Sequence, residues 1–184
     1  MISTFVPLDA GRGQDWSRTA VTRDGVAYRI RPIRPDDAAR ELEFIRTLSD
    51  ESRYRRLMHA VHEPSPELID RFVNVDYSRS MAFVAVTGAG ERERIIGVAR
   101  YASDDSSGAC EFAVAVADAW QSRGIGTMLT RLLFDYAKAA GLKRAYGTIL
   151  ADNARMIGLA HWLGMETHVA PDDAKLMVAS RRLN

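Results

Sequence analysis

The chain predicts a mixed α+β fold, with helices early, an antiparallel meander in the middle and a strand–helix–strand–helix run late. Three observations carry this. Residues 38–73 repeat apolar positions at helical spacing, while residues 81–117 break into three short apolar runs joined by polar turns. Beyond them, Ile125, Met128, Leu129, Leu132, Leu133, Tyr136, Ala137 and Ala140 hold an i, i+3, i+4, i+7 stripe between two β-prone segments.

Each element follows from local pattern. Residues 1–24 carry isolated apolar residues without a sustained period and read as an extension, leaving residues 25–184 as a single domain. Residues 27–31 alternate, with Tyr28 and Ile30 against Arg29 and Arg31, and Pro32 and Pro35 close that strand. Asp36 or Asp37 is placed to cap a helix bearing Ala38, Leu42, Ile45 and Leu48 on one face. A short helix is expected over residues 51–61. A third has Ser65 as cap, Pro66 at its first position, and Leu68, Ile69, Phe72 and Val73 at helical spacing.

Residues 81–86, 95–101 and 109–117 are the meander strands, turning at Ala89-Gly90-Glu91 and at residues 104–108. Gly141 is placed to end the long helix. Residues 144–150 follow as a strand, residues 153–163 as a helix stopped by Gly164, and residues 175–180 as a last strand. The strand–helix–strand unit across residues 114–150 should join parallel neighbours.

Composition narrows the function classes. Lys+Arg 25 against Asp+Glu 24 gives a net charge of +1, so nothing global favours nucleic acid or an anionic membrane. The single cysteine, Cys110, excludes an internal disulfide framework and a Cys-rich zinc site. No apolar run approaches the roughly 20 residues of a membrane span, and the N-terminus lacks the pattern of a secretory signal. The expected location is cytoplasmic.

One segment points to chemistry: Gln121-Ser122-Arg123-Gly124-Ile125-Gly126, between a strand and the strongest helix. Unpaired N–H groups and partial positive charge at a helix start suit a pyrophosphate. Gly124 and Gly126 let the backbone approach phosphate oxygens, and Arg123 adds a full charge. A plain Gly-rich turn is the simpler alternative. A dinucleotide fingerprint fails because Leu129 stands where a third small residue is needed, and no Gly-Lys-Ser/Thr makes a Walker loop.

This segment resembles the Q/R-x-x-G-x-G/A turn of the GNAT superfamily of acyl-CoA-dependent N-acetyltransferases. The order of elements from Gly25 to about Met165 is similar as well. Further segments resemble the GNAT domain of bacterial Pat-type protein lysine acetyltransferases: residues 30–38 (IRPIRPDDA), 52–55 (SRYR), 75–77 (VDY), 96–100 (IGVAR), 111–114 (EFAV) and 118–121 (DAWQ). The resemblance implies a central mixed, mostly antiparallel sheet with a splayed parallel strand pair, flanked by helices. It implies acetyl-CoA as co-substrate, no metal, and an acceptor that is a protein lysine or a small amine. Backbone groups of Val114 and Val116 would pair with the pantetheine arm. Gln121, Ser122, Arg123, Gly124, Ile125, Gly126 and Thr127 would wrap the pyrophosphate, with Asn153 near the thiol end.

In the resemblance Glu111 stands at the position of the general base. In an uninterrupted strand Glu111, Ala113 and Ala115 share one face, so open volume lies beside the carboxylate; a bulge would shift that phase. Its other reading is a solvated strand-end glutamate. A lysine amine, with a pKa near 10.4, must lose a proton before it attacks, and a carboxylate in apolar surroundings suits that task. Many GNAT enzymes carry a tyrosine general acid seven residues after the asparagine; here that position is Ala160, so the acid is unassigned. His161 points about 100° round the helix from it.

Other residues read as structural. His59 and His62 lack a third metal ligand. Arg53, Arg55 and Arg56 form a basic helix face. Cys110 has no paired histidine for covalent catalysis, and Trp120 and Trp162 read as packing residues. A non-catalytic acyl-CoA sensor is a further alternative, as is either a monomer or a homodimer.

Overall fold

A computed structural model describes residues 15–57, 64–103 and 107–183. Eight strands form one sheet in the order β1-β2-β3-β4-β5-β6-β8-β7. The expected meander is there: β3 (Ser80–Thr87), β4 (Arg94–Ser103) and β5 (Ala109–Val116) pair antiparallel. The parallel neighbour of β5 is β6 (Arg144–Leu150), and they are joined through α4 (Ile125–Ala139).

The two faces of the sheet bury separate cores. Leu129, Leu133, Tyr136 and Ala137 of α4 pack over Ile30, Phe83, Ala99 and Phe112. The opposite face, with Ile33, Val84 and Val98, is covered by Phe44 and Ile45 of α1 (Ala38–Thr47) and Ile69 and Val73 of α3 (Pro66–Val73). Ser65 caps α3 as its sequence predicts, accepting from the Leu68 N–H at 3.2 Å. Gly141, at φ 85°, ends α4. Helix α5 (Ala154–Trp162) then leads into β7 (Glu166–Ala170) and β8 (Asp173–Arg182). No helix among the described residues is long and apolar enough to cross a membrane.

The structure departs from the sequence reading at the short strands β1 and β7 and at the Asp37 cap. Residues 18–21 form β1 (Arg18–Val21), which pairs antiparallel with β2 (Ala27–Pro32) and turns through Thr22, where Thr22 N–H donates to Val26 C=O at 2.9 Å. Four largely exposed residues are too few to register as a period. The carboxylate of Asp37 does not cap α1; it is committed to Arg31 through two 2.7 Å bonds. The second expected helix is present as α2 (Asp50–Leu57); residues 58–61 of the expected span lie outside the described residues, as do the turn residues 104–106.

Candidate active site

Strands β5 and β6 pair only over Ala109↔Arg144, Cys110↔Ala145 and Glu111↔Tyr146. The next position on β6 is Gly147, where an added Cβ would stand 2.9 Å from both the Phe112 carbonyl oxygen and its ring. Glycine therefore permits the last close contact before the strands part. Beyond it opens a cleft of about 560 Å³, bounded by β5, β6, the start of α4, one face of α5 and part of α2.

The register of β5 against β4 is unbroken, so no bulge shifts its phase. Ala117 N–H donates to Ile96 C=O at 2.9 Å, which makes Ala117, Ala115, Ala113 and Glu111 the residues that exchange backbone bonds with β4. Val114 and Val116 therefore aim their N–H and C=O groups away from β4, toward the side that β6 has left. The Val116 carbonyl there accepts from Gln121 Nε2 at 3.1 Å.

The glycine turn is built to present donors. Ser122 (φ 62°) and Gly124 (φ 94°) both adopt left-handed backbone, the second as N-cap of α4 with no side-chain acceptor. The first intrahelical bond runs from Met128 N–H to Gly124 C=O, 3.1 Å, so the N–H groups of Ile125, Gly126 and Thr127 precede the helical ladder. Gly126 borders Val116 and Leu159, where an added Cβ would make ordinary contacts at 3.5 and 3.7 Å.

Of the site residues expected from sequence, Glu111, Val114, Val116, Gln121, Ser122, Gly124, Gly126, Thr127 and Asn153 line the cleft. Ile125 and Arg123 do not. Ile125 is buried in the core under α4, leaving only its backbone to face a ligand. Arg123 turns back to Asp24 at 2.7 Å and lies over the Trp120 ring. A different cation occupies the lining: Arg23, at the tip of the β1–β2 hairpin, whose N–H donates to Arg123 C=O at 3.2 Å. Its Nε is 4.0 Å from where a Cβ on Gly124 would stand.

Helix α2 reaches the cleft through Asp118, whose carboxylate accepts from Ser49 N–H (3.0 Å), Ser49 Oγ (3.0 Å) and Ser52 Oγ (2.7 Å). Burial works to raise the Asp118 pKa, but these donors outweigh it and hold the carboxyl below its ordinary value. Gln121 spans the same region: Nε2 donates to Ser52 Oγ at 3.3 Å, and Oε1 accepts from Arg155 of α5 at 2.7 Å. Ser52, Arg55 and Arg155 thus join the lining. Arg55 pairs with Glu51 at 2.6 Å, while Arg53 folds back to donate to Leu48 C=O.

Glu111 is exposed, at the vertex where β5 and β6 separate, and is the carboxylate among the described lining residues. Its exposure differs from the apolar surroundings that suit a base, while the described parts of α1 and α3 pack over Val84 and Val98. Asn153 caps α5, its Oδ1 accepting from Met156 N–H at 3.1 Å. Ala160 is fully buried in the core, and His161 instead contacts Thr167 Oγ1 at 2.9 Å. Burial pushes the Cys110 thiol up to about 12, so it stays protonated and poorly nucleophilic at neutral pH. Among the described residues, no group of three or more His, Cys, Asp or Glu converges to hold a metal; His59, His62 and the Arg56 side chain lie outside that description. Trp162, read from sequence as a packing residue, is 57% exposed and lines the cleft.

The chain is similar to known proteins in sequence and fold. A family model described as an acetyltransferase (GNAT) domain matches residues 28–166. The chain is 37% identical to an acetyltransferase of Pseudomonas aeruginosa over 155 residues, which cover 84% of this chain and 83% of that protein. It is 32% identical over 143 residues to the acetyltransferase Pat of Mycolicibacterium smegmatis, spanning 42% of that longer protein. The crystal structure of the GNAT domain of S. lividans PAT superposes with a TM-score of 0.83 at 26% identity, covering 91% of this chain and 97% of that one.

Proposed function

The chain belongs to the GNAT acetyltransferase family, and from that premise we propose that it transfers acetyl from acetyl-CoA to lysine side chains of proteins, with Glu111 as general base. The observation that carries this reading is the place of Glu111: exposed, at the closed end of the wedge whose backbone donors and acceptors come from Val114 and Val116. An exposed carboxylate suits an acceptor delivered on a large surface more than a small amine enclosed in a pocket.

The fit to acetyl-CoA rests on features of this chain. The wedge offers strand backbone at Val114 and the Val116 N–H, turned away from β4, and the α4 start offers N–H groups with no competing side-chain cap. The left-handed Gly124 and the side-chain-free Gly126 keep that surface clear. Acetyl-CoA supplies the thioester; the residues supply position and proton transfer. Gln121 through Thr127 hold the pyrophosphate, with Arg23 rather than the Arg123 side chain contributing full charge, since Arg123 is spent on Asp24. Asn153 fixes the start of α5 beside the track of the pantetheine arm.

Glu111 takes a proton from the acceptor ammonium, directly or through one water, and the free amine attacks the thioester carbonyl. The Val114 N–H points into the wedge, where it can stabilise the oxygen on which negative charge develops. No side chain is assigned to protonate the departing thiolate. With Ala160 inside the core, a tyrosine there would have to displace packed side chains. A thiol near pKa 8.5 leaves without strong assistance.

The reading is tested by comparing kcat/KM for a lysine-containing protein acceptor with those for a polyamine, an amino sugar and an aminoglycoside. The protein acceptor is expected to be preferred by at least about tenfold, roughly 1.4 kcal/mol of transition-state binding. Preference for a small amine would reassign the acceptor. Tight CoA binding without turnover of any amine would favour a sensor.

A further inference from the structure

The cleft lining runs from the glycine turn onto α5, where it includes Trp162, a side chain that the chemistry at Glu111 does not use. Trp162 closes α5 with 57% of its surface exposed, while its helix neighbours Ala160 and Leu163 are buried. A single exposed apolar residue is ordinary on a protein surface. Trp162 differs in two respects. It lines the cleft, and the Arg131 guanidinium of α4 lies over its ring, 4.2 Å from the centroid. With one face so covered, the remaining exposure leaves ring surface available to a ligand in the cleft.

The position matches a particular part of the donor. Arg155, Gly158 and Trp162 recur at helical spacing on α5, and all three line the cleft. An added Cβ on Gly158 would meet nothing within 4 Å, so the groove between the turn and the indole is open. Arg131 lies six residues beyond Ile125, about 9 Å along α4 from the end that presents its N–H groups. A flat heterocycle joined through a sugar to a pyrophosphate at the turn would reach the indole.

We propose that Trp162, backed by Arg131, is a stacking platform for the adenine base of the acyl-CoA donor. This rests on the acyl-CoA reading of the cleft and adds an anchor far from the reacting thioester. Stacking on an aromatic ring tolerates any flat base, and a cation on the opposite face adds to the ring's attraction for its neighbours. The consequence is donor selection. Free acyl-CoA is favoured over an acyl group carried on phosphopantetheine alone, because only the former brings the base.

Titration calorimetry with CoA and with 4′-phosphopantetheine tests this without relying on turnover. The parent chain is expected to bind CoA more tightly than 4′-phosphopantetheine. Trp162→Ala should weaken CoA by about tenfold, the size of one lost base–aromatic stack, and leave the affinity for 4′-phosphopantetheine at the parent value. Trp162→Phe should retain most of the CoA affinity, and Arg131→Ala should weaken CoA in the same direction. Thermal unfolding of each variant checks that the fold is kept. Equal CoA affinity in parent and Trp162→Ala would overturn the platform, as would equal weakening of both ligands. If the parent binds neither ligand, the acyl-CoA reading itself fails, and the platform with it.

Discussion

Glu111→Gln is expected to lower kcat with a protein lysine acceptor by about 10²- to 10⁴-fold, the range for removal of a general base. The KM for acetyl-CoA should stay at the parent value, because the donor track is built from the backbone of Val114 and Val116 and from the turn at Gln121–Thr127. Glutamine keeps the shape of glutamate and cannot accept the proton. Glu111 is exposed and makes its strand contact through the backbone, opposite Ala102, so the substitution should leave the unfolding temperature unchanged. Steady-state kinetics with both substrates varied, beside a thermal melt, measures this. Turnover equal to the parent's would remove Glu111 from the mechanism. A matched rise in both KM values at constant kcat would make it a binding residue.

The second large effect concerns stability. Asp37→Ala should destabilise the fold by about 3–5 kcal/mol, the cost of leaving a buried charge without its partner. Arg31 and Asp37 are both buried, and their bidentate pair joins β2 to the start of α1. Asp37 also accepts from the Arg34 N–H at 2.9 Å, and Arg31 donates to Glu93 at 2.6 Å. Burial works to raise the Asp37 pKa, but the bonds from Arg31 and Arg34 outweigh it and hold the carboxyl below its ordinary value.

The sign of the pH dependence follows. A carboxyl with a depressed folded-state pKa stabilises fully above its unfolded value, near 3.9, and that contribution is lost as pH falls through the folded value. The parent should therefore lose stability steeply below about pH 4, and Asp37→Ala should show a shallower acid limb. Urea unfolding at a series of pH values tests both. A loss under about 1 kcal/mol at neutral pH would show that Glu93 alone satisfies Arg31.

What could be read from sequence was what local chemistry decides. The α4 stripe, the Ser65 cap and the three meander strands each lie within a dozen or so residues and appear where expected. Strands β1 and β7 were not legible, being four and five residues long and mostly exposed. Helix α2, with the sequence DESRYRRL, has no apolar stripe; Asp118 supports it from the far end of β5 through Ser49 and Ser52.

The site divides in the same way. Glu111 and the turn from Gln121 to Thr127 are contiguous and show themselves as a pattern. Arg23, Ser52 and Arg155 enter only because tertiary folding brings a hairpin tip and two helices to that turn. Arg123 carries the expected charge at the expected position, yet Asp24 takes it, and no local pattern announces that pair. Trp162 reads from sequence as a packing residue; its exposure and its contact with Arg131 of α4 are set by tertiary placement.

The most direct measurement is mass spectrometry of lysine acetylation in a cell-extract proteome supplied with acetyl-CoA and the purified chain. Glu111→Gln, run in parallel, subtracts non-enzymatic transfer. A limited set of lysines acetylated by the parent and not by the variant is the predicted result. Indistinguishable acetylation in the two samples would contradict a protein-lysine acetyltransferase that uses Glu111 as its base.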